Sequence, residues 1–251
     1  MKSLMLNAAK EASKIVMKYY GHPGKLGYKN PRSIVTKVDI LSEKKIMELI
    51  SKKFPAHNFL TEESGTIKKG SEYTWIIDPI DGTTNFVSGM PQFAVSIGLA
   101  KNGDVFMGAV YNPCTDDMYF AEKGKGSFLN GKRLKVSNKK ALIESIATFS
   151  LPSNITVSRK TLTTLSKNYG TFRGIRNFGS AALNLCYIAE AKMDLYFTLD
   201  IKAWDAAAAK LIVEEAGGKI TNLNNKKWEL NDKTMVASNR ILHDKFIGLL
   251  K

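Results

Sequence analysis

The stretch Trp75-Ile-Ile-Asp-Pro-Ile-Asp-Gly-Thr-Thr-Asn-Phe86 decides how this 251-residue chain is interpreted. A run of Trp and Ile, typical of a buried strand, ends in two aspartates three positions apart. Pro79 fixes φ between them and keeps Asp78 extended, and Gly82 frees the backbone just after the second aspartate. We therefore predict that a strand covering Tyr73–Asp78 ends here and that the chain turns between the two carboxylates.

Such a turn would direct the carboxylates of Asp78 and Asp81 and the carbonyl of Ile80 toward one point, and oxygen ligands of this kind suit Mg²⁺. The next residues, Gly82 to Asn85, are typical of a helix N-terminus, whose free N–H groups bind anions. Metal ligands that lead directly into an anion site indicate phosphoryl chemistry. The alternative interpretation is a plain turn that is rich in turn-forming residues.

Two further acidic stretches become candidate metal-binding segments because they occur in the same chain as the Asp78/Asp81 stretch. Leu60-Thr-Glu-Glu63 ends another predicted strand, and Asp205 follows Trp204 at a helix start, where an acid is also a common cap. The sequence lacks the motifs of two other classes of phosphate-transferring enzyme: it has no P-loop motif and no cysteine in a phosphate-binding glycine loop. We expect its three histidines, His22, His57 and His243, to be surface imidazoles, which argues against a histidine-dependent mechanism or a zinc site.

Hydrophobic periodicity predicts an α+β first half, residues 1–140, and an α/β second half, residues 141–251, packed as one unit. The first half begins with a helix at about 3–20, a polar loop to Ser33 and a helix at Asp39–Phe54. Its other strands are predicted at Asn58–Thr61, Phe93–Ala100, Val105–Tyr111, Met118–Ala121 and Ser127–Val136. Hairpin turns at Asn102-Gly103 and Asn130-Gly131 imply an antiparallel sheet.

The second half has predicted helices at Ser158–Lys167, Ser180–Ala191 and Asp205–Ala216 and a last helix to Leu250, between strands at Ser145–Ser150, Asp194–Leu199, Lys219–Thr221 and Thr234–Ala237.

The chain is basic, with 37 Lys and Arg against 23 Asp and Glu and a formal net charge of +14. The segment from Lys123 to Ala189 holds twelve basic residues and one acid, Glu144, a net charge of +11. Such an excess favours anionic partners such as phosphorylated metabolites, nucleic acid or anionic lipid; a lysine-rich, soluble surface is the alternative. No apolar run reaches the roughly 20 residues that cross a bilayer, and the N-terminus is unlike a signal peptide, so we expect a cytoplasmic protein without membrane partners.

Four stretches together resemble the inositol monophosphatase family of Mg²⁺-dependent, often lithium-sensitive phosphatases: Ile34–Asp39, Leu60–Glu63, Trp75–Phe86 and Ala203–Ala206. The helix start at Gly179–Leu183 belongs to the same match. The match runs from Val35 to about Gly218. The resemblance implies a layered α-β-α-β-α sugar-phosphatase fold, with an antiparallel first sheet and a second α/β half, and a homodimer.

Carried onto this sequence, the resemblance implies two or three Mg²⁺ ions held by Glu62, Asp78, the Ile80 carbonyl, Asp81 and Asp205. It also implies that Thr83, paired with Asp39, and Glu62 orient and help deprotonate the attacking water. The implied substrate-binding residues are Gly82, Thr83, Gly179, Ser180, Ala181, Thr198, Lys202 and Arg176.

The substrate pocket departs from that of inositol-selective relatives, because Thr198 stands where they often have a glutamate and Lys202 where some have a histidine. A cation there suits a second phosphate. We therefore predict a Mg²⁺-dependent phosphomonoesterase of myo-inositol 1-phosphate that also hydrolyses fructose 1,6-bisphosphate, with a phosphorylated sugar or inositol as its small-molecule partner. The alternatives are a 3′-phosphoadenosine nucleotide phosphatase and a nucleic-acid-binding regulator on the same fold. Nucleic acid is not the expected partner, because few aromatic residues accompany the basic ones.

Overall fold

A computed structural model describes residues 1–30 and 33–250. The α-helices in these ranges are α1 (Lys2–Met17), α2 (Lys37–Lys53), α3 (Thr83–Val87), α4 (Ile155–Lys167), α5 (Ala181–Ala189), α6 (Ala203–Glu215) and α7 (His243–Leu250), with a 3₁₀ helix at Leu142–Glu144. The strands are β1 (Leu26–Asn30), β2 (Ser33–Thr36), β3 (Asn58–Thr61), β4 (Gly65–Ile67), β5 (Tyr73–Asp81), β6 (Ala94–Lys101), β7 (Asp104–Asn112), β8 (Asp117–Glu122), β9 (Gly126–Leu129), β10 (Lys132–Arg133), β11 (Ile146–Phe149), β12 (Gly174–Arg176), β13 (Leu195–Thr198), β14 (Lys219–Thr221) and β15 (Met235–Ser238).

Strand β5 is apolar along most of its length because helices cover both faces of its sheet. The strand order of this eight-stranded sheet is β10-β9-β8-β7-β6-β5-β3-β4. Trp75 and Ile77 belong to the apolar cluster shared with α1 and α2, whereas Ile76 belongs to the cluster shared with α5 and α6. Helices α1 and α2 therefore pack on one face of β5, and helices α5 and α6 pack on the other.

The second sheet completes the layers. Its strand order is β12-β11-β13-β15-β14, in which β11 runs parallel to both neighbours and β15 antiparallel to both of its own. Tyr196 and Ala237 join the cluster of α5 and α6, whereas Phe197 packs with Leu165 of α4 and Phe246 of α7. The resulting order, α1/α2, large sheet, α5/α6, small sheet, α4/α7, confirms the predicted α-β-α-β-α fold.

Three predictions about the first half are wrong in detail. The strand carrying Asp78 does not end there, because β5 continues to Asp81 through an irregular register in which Asp78 pairs with Ser96 and Asp81 with Ala94. Between these two pairs, Pro79 and Ile80 of β5 lie opposite one residue of β6, Val95. This irregularity is a β-bulge and not a turn.

The predicted loop up to Ser33 instead contains β1, which pairs with β2 in a two-stranded antiparallel sheet; Pro31 and Arg32 of that loop lie outside the described residues. The first sheet is also not wholly antiparallel. The short strand β4 pairs with one side of β3, so that β5 returns on the other side, parallel to β3. The run Ser127–Val136, in which a hairpin turn was predicted at Asn130-Gly131, contains β9 and β10 on either side of that turn.

Two of the three histidines are buried, which corrects the prediction that they lie at the surface. His57 is stacked between Phe54 and Tyr73 and accepts a hydrogen bond from the Trp75 indole N–H at 3.0 Å. His243 is fully buried, and burial lowers the pKa of its imidazole to about 4. Both imidazoles are packed in the interior, and burial lowers the pKa of His57 as well.

Among the helices described for residues 1–30 and 33–250, none has the length and apolar character needed to cross a membrane.

Candidate active site

Three aspartates converge at the carboxyl end of β5. Asp78 and Asp81 lie on the β5 bulge, and Asp205 is the third residue of α6, where its Oδ2 accepts the Lys202 backbone N–H at 3.1 Å. One oxygen from each carboxylate lies within 4.8 Å of the other two. All the donors are oxygens and two of the three residues are buried, so this set fits a hard divalent cation.

The surroundings penalise negative charge in this cluster. Burial raises the pKa of Asp78 and of Asp205 well above the usual aspartate range, and the neighbouring carboxylates raise it further. Burial also raises the pKa of Asp81, to about 6, although hydrogen bonds from Ser180 and from the α5 backbone oppose the shift. The cluster therefore favours whatever compensates its negative charge, and a bound cation would do so.

The start of α5 holds the Asp81 carboxylate. The Ser180 hydroxyl donates to Oδ2, and the backbone N–H groups of Ala182 and Ala181 donate to Oδ2 at 2.7 Å and to Oδ1 at 3.3 Å. Ser180 also caps the helix, because its hydroxyl oxygen accepts the Leu183 N–H at 3.2 Å. Ser180 and Ala181, which the resemblance assigned to the substrate, thus contact a member of the carboxylate cluster.

Thr83 and Asp39, predicted to act as a pair, lie together. The Thr83 hydroxyl is within donating distance of Asp39 Oδ1 at 3.3 Å and of the Ile80 carbonyl at 3.0 Å. Asp39 Oδ2 in turn accepts the backbone N–H and the hydroxyl of Thr36, both at 2.7 Å. Burial raises the pKa of Asp39 despite these bonds.

Glu62 directly follows β3, and its backbone N–H donates to the Ile77 carbonyl at 3.2 Å. Its carboxylate accepts the Lys29 ammonium at 2.8 Å, and the same ammonium lies 2.6 Å from Glu63. Burial raises the pKa of Glu63 to about 7, against the opposing effect of Lys29. Lys29 lies in the polar loop predicted up to Ser33 and was not assigned to the site from the sequence; its pairing with Glu62 and Glu63 places it at the cleft.

A cleft of about 460 Å³ opens above these groups. The predicted site residues that line it are Glu62, Asp81, Gly82, Thr83, Gly179, Ala181, Lys202 and Asp205. Gly82 has a φ of +94°, and a Cβ there would lie 3.0 Å from the Gln92 carbonyl oxygen, so the chain can make this approach only with glycine.

Two predicted substrate residues lie elsewhere. Thr198 is fully buried, and its hydroxyl donates to the Asp200 carbonyl at 3.0 Å. Arg176 lies exposed on β12, where its guanidinium donates to the Ile175 carbonyl at 2.9 Å. Lys202 borders the cleft with its ammonium 3.5 Å from Asp200. A carboxylate cluster below an open cleft is suited to metal-dependent chemistry on a small ligand.

Comparison with known proteins gives the family. The profile of the inositol monophosphatase family matches residues 1–251. The fructose-1,6-bisphosphatase/inositol-1-monophosphatase of Thermotoga maritima is 39% identical over 226 residues, 90% of this chain and 84% of that protein. Nus factor SuhB of Pasteurella multocida is 38% identical over 245 residues, 95% of this chain and 91% of that protein. The crystal structure of the extragenic suppressor protein SuhB from Bartonella henselae matches with a TM-score of 0.94 at 35% identity, covering 100% of this chain and 98% of that one.

The chain therefore belongs to the inositol monophosphatase family. It is a phosphoric monoester hydrolase of a metal-dependent family, and its buried carboxylate cluster is suited to binding a metal.

Proposed function

We propose that this protein hydrolyses myo-inositol 1-phosphate and fructose 1,6-bisphosphate with Mg²⁺. The convergence of Asp78, Asp81 and Asp205 within 4.8 Å, below a cleft bordered by Gly82 and Thr83, carries the proposal. Two or three Mg²⁺ ions would be held by these aspartates, the Ile80 carbonyl and Glu62.

Bound Mg²⁺ would supply an acidified water and neutralise charge on the phosphoryl oxygens. The protein's own groups would orient the reaction. The backbone N–H groups of Gly82 and Thr83 would hold the phosphate, and the absence of a side chain at Gly82 leaves room for it. The Thr83 hydroxyl, aligned by Asp39, would take the proton of the attacking water toward that carboxylate, and Glu62 would orient the water from the other side.

Lys202 supports the inclusion of a bisphosphate among the substrates. Its side chain is about half exposed at the cleft and is paired with Asp200. A second phosphate could replace that carboxylate as its partner. The relative from Thermotoga maritima, whose name gives both activities, supports the same substrate pair.

The test compares phosphate release from inositol 1-phosphate, fructose 1,6-bisphosphate and 3′-phosphoadenosine 5′-phosphate with Mg²⁺ in one assay. We expect turnover of the first two and its loss in Asp81→Asn. Lys202→Met should lower kcat/KM for the bisphosphate about tenfold and leave inositol 1-phosphate nearly unchanged. Lys192→Met is the matched control, because Lys192 is equally exposed and paired with Glu190. Preferred turnover of the 3′-phosphonucleotide would support the nucleotide phosphatase instead.

A nucleic-acid-binding regulator is the second candidate, favoured by relatives that are named Nus factor SuhB and by the basic segment from Lys123 to Ala189. It predicts salt-sensitive retention of RNA by the metal-free protein, unchanged in Asp81→Asn. Hydrolysis of no phosphate ester, together with such retention, would favour this candidate over the phosphatase.

The remaining predictions belong to the same proposal: a homodimer, a cytoplasmic location, and halves at 1–140 and 141–251. The positively charged body would draw phosphorylated metabolites toward a pocket whose acids are neutralised by metal. Sedimentation analysis tests the dimer.

A further inference from the structure

Helix α2 places polar groups on its inward face beside the carboxylate cluster. Asp39, Ser42 and Glu43 are all buried, and their spacing of three and four residues puts them on one side of the helix. Asp39 meets the Thr83 hydroxyl, and the Ser42 hydroxyl donates to the Pro79 carbonyl in the β5 bulge at 3.2 Å. The third residue, Glu43, reaches another part of the site.

The Glu43 carboxylate holds the turn that follows β3. Its Oε2 accepts the Glu63 backbone N–H at 2.8 Å, and its Oε1 accepts the Ser64 N–H at 2.9 Å and the Ser64 hydroxyl. The residue just before these donors is Glu62, whose own N–H is bonded to the Ile77 carbonyl of β5. The backbone around Glu62 is therefore fixed on both sides.

A buried carboxylate is costly unless its oxygens are well bonded. Glu43 is 1% exposed, and none of the ion pairs formed by residues 1–30 and 33–250 includes it. An apolar residue, like Ile46 one turn later, would fill the same face without that cost. The hydrogen bonds to the turn after β3 explain why a carboxylate, and not an apolar side chain, stands at this buried position.

We propose that Glu43 is a positioning residue for Glu62, aiming the Glu62 carboxylate at the cation site. The inference rests on the proposed function, in which Glu62 is a metal ligand. Through Ser42 and Glu43, helix α2 serves as one rigid reference for both the β5 bulge and the Glu62 turn. Residues that orient metal ligands in this way typically change metal affinity 10- to 100-fold when they are removed.

The test uses Glu43→Gln, which keeps the shape of the side chain but turns an NH₂ group toward at least one backbone donor. Calorimetric titration well below the melting temperature should show Mg²⁺ affinity about tenfold weaker. In the metal-free protein, hydrogen exchange at the Glu63 and Ser64 amides should accelerate. Glu48→Gln is the control on the same helix, because Glu48 is exposed and paired with Lys52, and it should change neither quantity.

A double-mutant cycle separates positioning from general loosening. In a Glu62→Gln background, Glu43→Gln should have little further effect on Mg²⁺ affinity. Unchanged affinity in Glu43→Gln, or equal weakening in both backgrounds, would overturn the inference while leaving the proposed function intact. No Mg²⁺ binding by the wild type, or unchanged affinity in Glu62→Gln, would instead overturn the proposed metal site itself.

If Glu43→Gln does not fold, Ser64→Ala replaces it. Ser64 is exposed, and this variant removes one of the three hydrogen bonds to Glu43. We expect about threefold weaker Mg²⁺ binding, and unchanged binding would overturn the inference.

Discussion

At the scale of single residues, the proposed proton transfer depends on the Thr83 hydroxyl, which lies between Asp39 and the Ile80 carbonyl. Thr83→Val removes the hydroxyl and keeps the shape of the side chain. We expect kcat to fall about 100-fold, with little change in KM or in Mg²⁺ affinity, because the substitution removes a proton path and no metal ligand. Steady-state kinetics at saturating Mg²⁺ measures this effect.

Thr84→Val is the matched control for that experiment. Thr84 is the next residue of the same short helix and also borders the cleft, but it is exposed. It should retain nearly full kcat. An equal loss of kcat in both variants would mean that the substitutions disturb helix α3, and that the Thr83 hydroxyl has no specific role.

The raised pKa values of the three aspartates make the stability of the metal-free protein depend on pH. The pKa of Asp81 is about 6 in the fold and lower in the unfolded chain, so the folded state binds more protons between these values. The free energy of unfolding of the metal-free protein should therefore fall as pH rises from about 4 through 6.

Mg²⁺ competes with those protons for the carboxylates, so its stabilising effect should have the opposite trend. We expect saturating Mg²⁺ to raise the melting temperature more at about pH 8 than at about pH 5. Scanning calorimetry with Mg²⁺ and with chelator measures both increments. Equal increments at the two pH values would contradict binding to these aspartates.

At the scale of elements, the N-terminus of α5 is both a helix cap and a support for Asp81. Ser180→Ala removes both interactions, whereas Ser180→Thr retains a hydroxyl. We expect Ser180→Ala to lower the free energy of unfolding by about 1–2 kcal/mol and to weaken Mg²⁺ binding, with Ser180→Thr close to wild type. Urea unfolding and calorimetric titration measure the two effects.

Asn154→Ala supplies the comparison, since Asn154 caps α4 by accepting the N–H groups of Thr156 and Val157 and does not contact Asp81. It should lose similar stability at unchanged Mg²⁺ affinity. If both variants weaken Mg²⁺ binding alike, the effect follows from lost stability and not from the contact with Asp81.

Elements with a local signal were predictable from the sequence. The strand Asn58–Thr61 has the predicted bounds, and α3 begins as expected after Gly82. The pair β1 and β2 gave no such signal, because β1 is largely exposed and, among the strands of residues 1–30 and 33–250, each pairs with the other alone. The β5 bulge was missed because Pro79 is a local stop signal, whereas the pairing with β6 that carries the strand past it is non-local.

The candidate site divides in the same way. The spacing of Asp78 and Asp81 was sufficient to predict a cation site, because both residues lie on one short stretch. Asp205 became a candidate only because the chain also contains Asp78 and Asp81 and because of the family resemblance. A sequence alone does not give the distance between residues that are far apart in the chain. The bond from Ser180 to Asp81 spans 99 residues and has no local signature at all.

At the scale of the whole molecule, the cation site depends on how α6 sits between the two sheets. Four consecutive buried alanines, Ala206 to Ala209, let the helix backbone approach the large sheet closely. Gly98 on β6 and Gly108 on β7 face Ala207 and Ala208 at this contact. Because Asp205 lies in the first turn of α6, this packing sets its distance from Asp78 and Asp81.

Gly108→Ala tests that dependence. The added Cβ would lie 2.6 Å from the Ala208 carbonyl oxygen and 2.8 Å from its Cα, which are backbone atoms that can move only if α6 shifts. We expect a loss of about 1–3 kcal/mol in the free energy of unfolding, together with weaker Mg²⁺ binding, because the shift carries Asp205 away from β5. Gly170→Ala is the control, since a Cβ there meets open space, and it should alter neither quantity. Wild-type Mg²⁺ affinity in a destabilised Gly108→Ala would mean that the position of Asp205 is set within its own helix turn and not by the packing of α6 against the sheet.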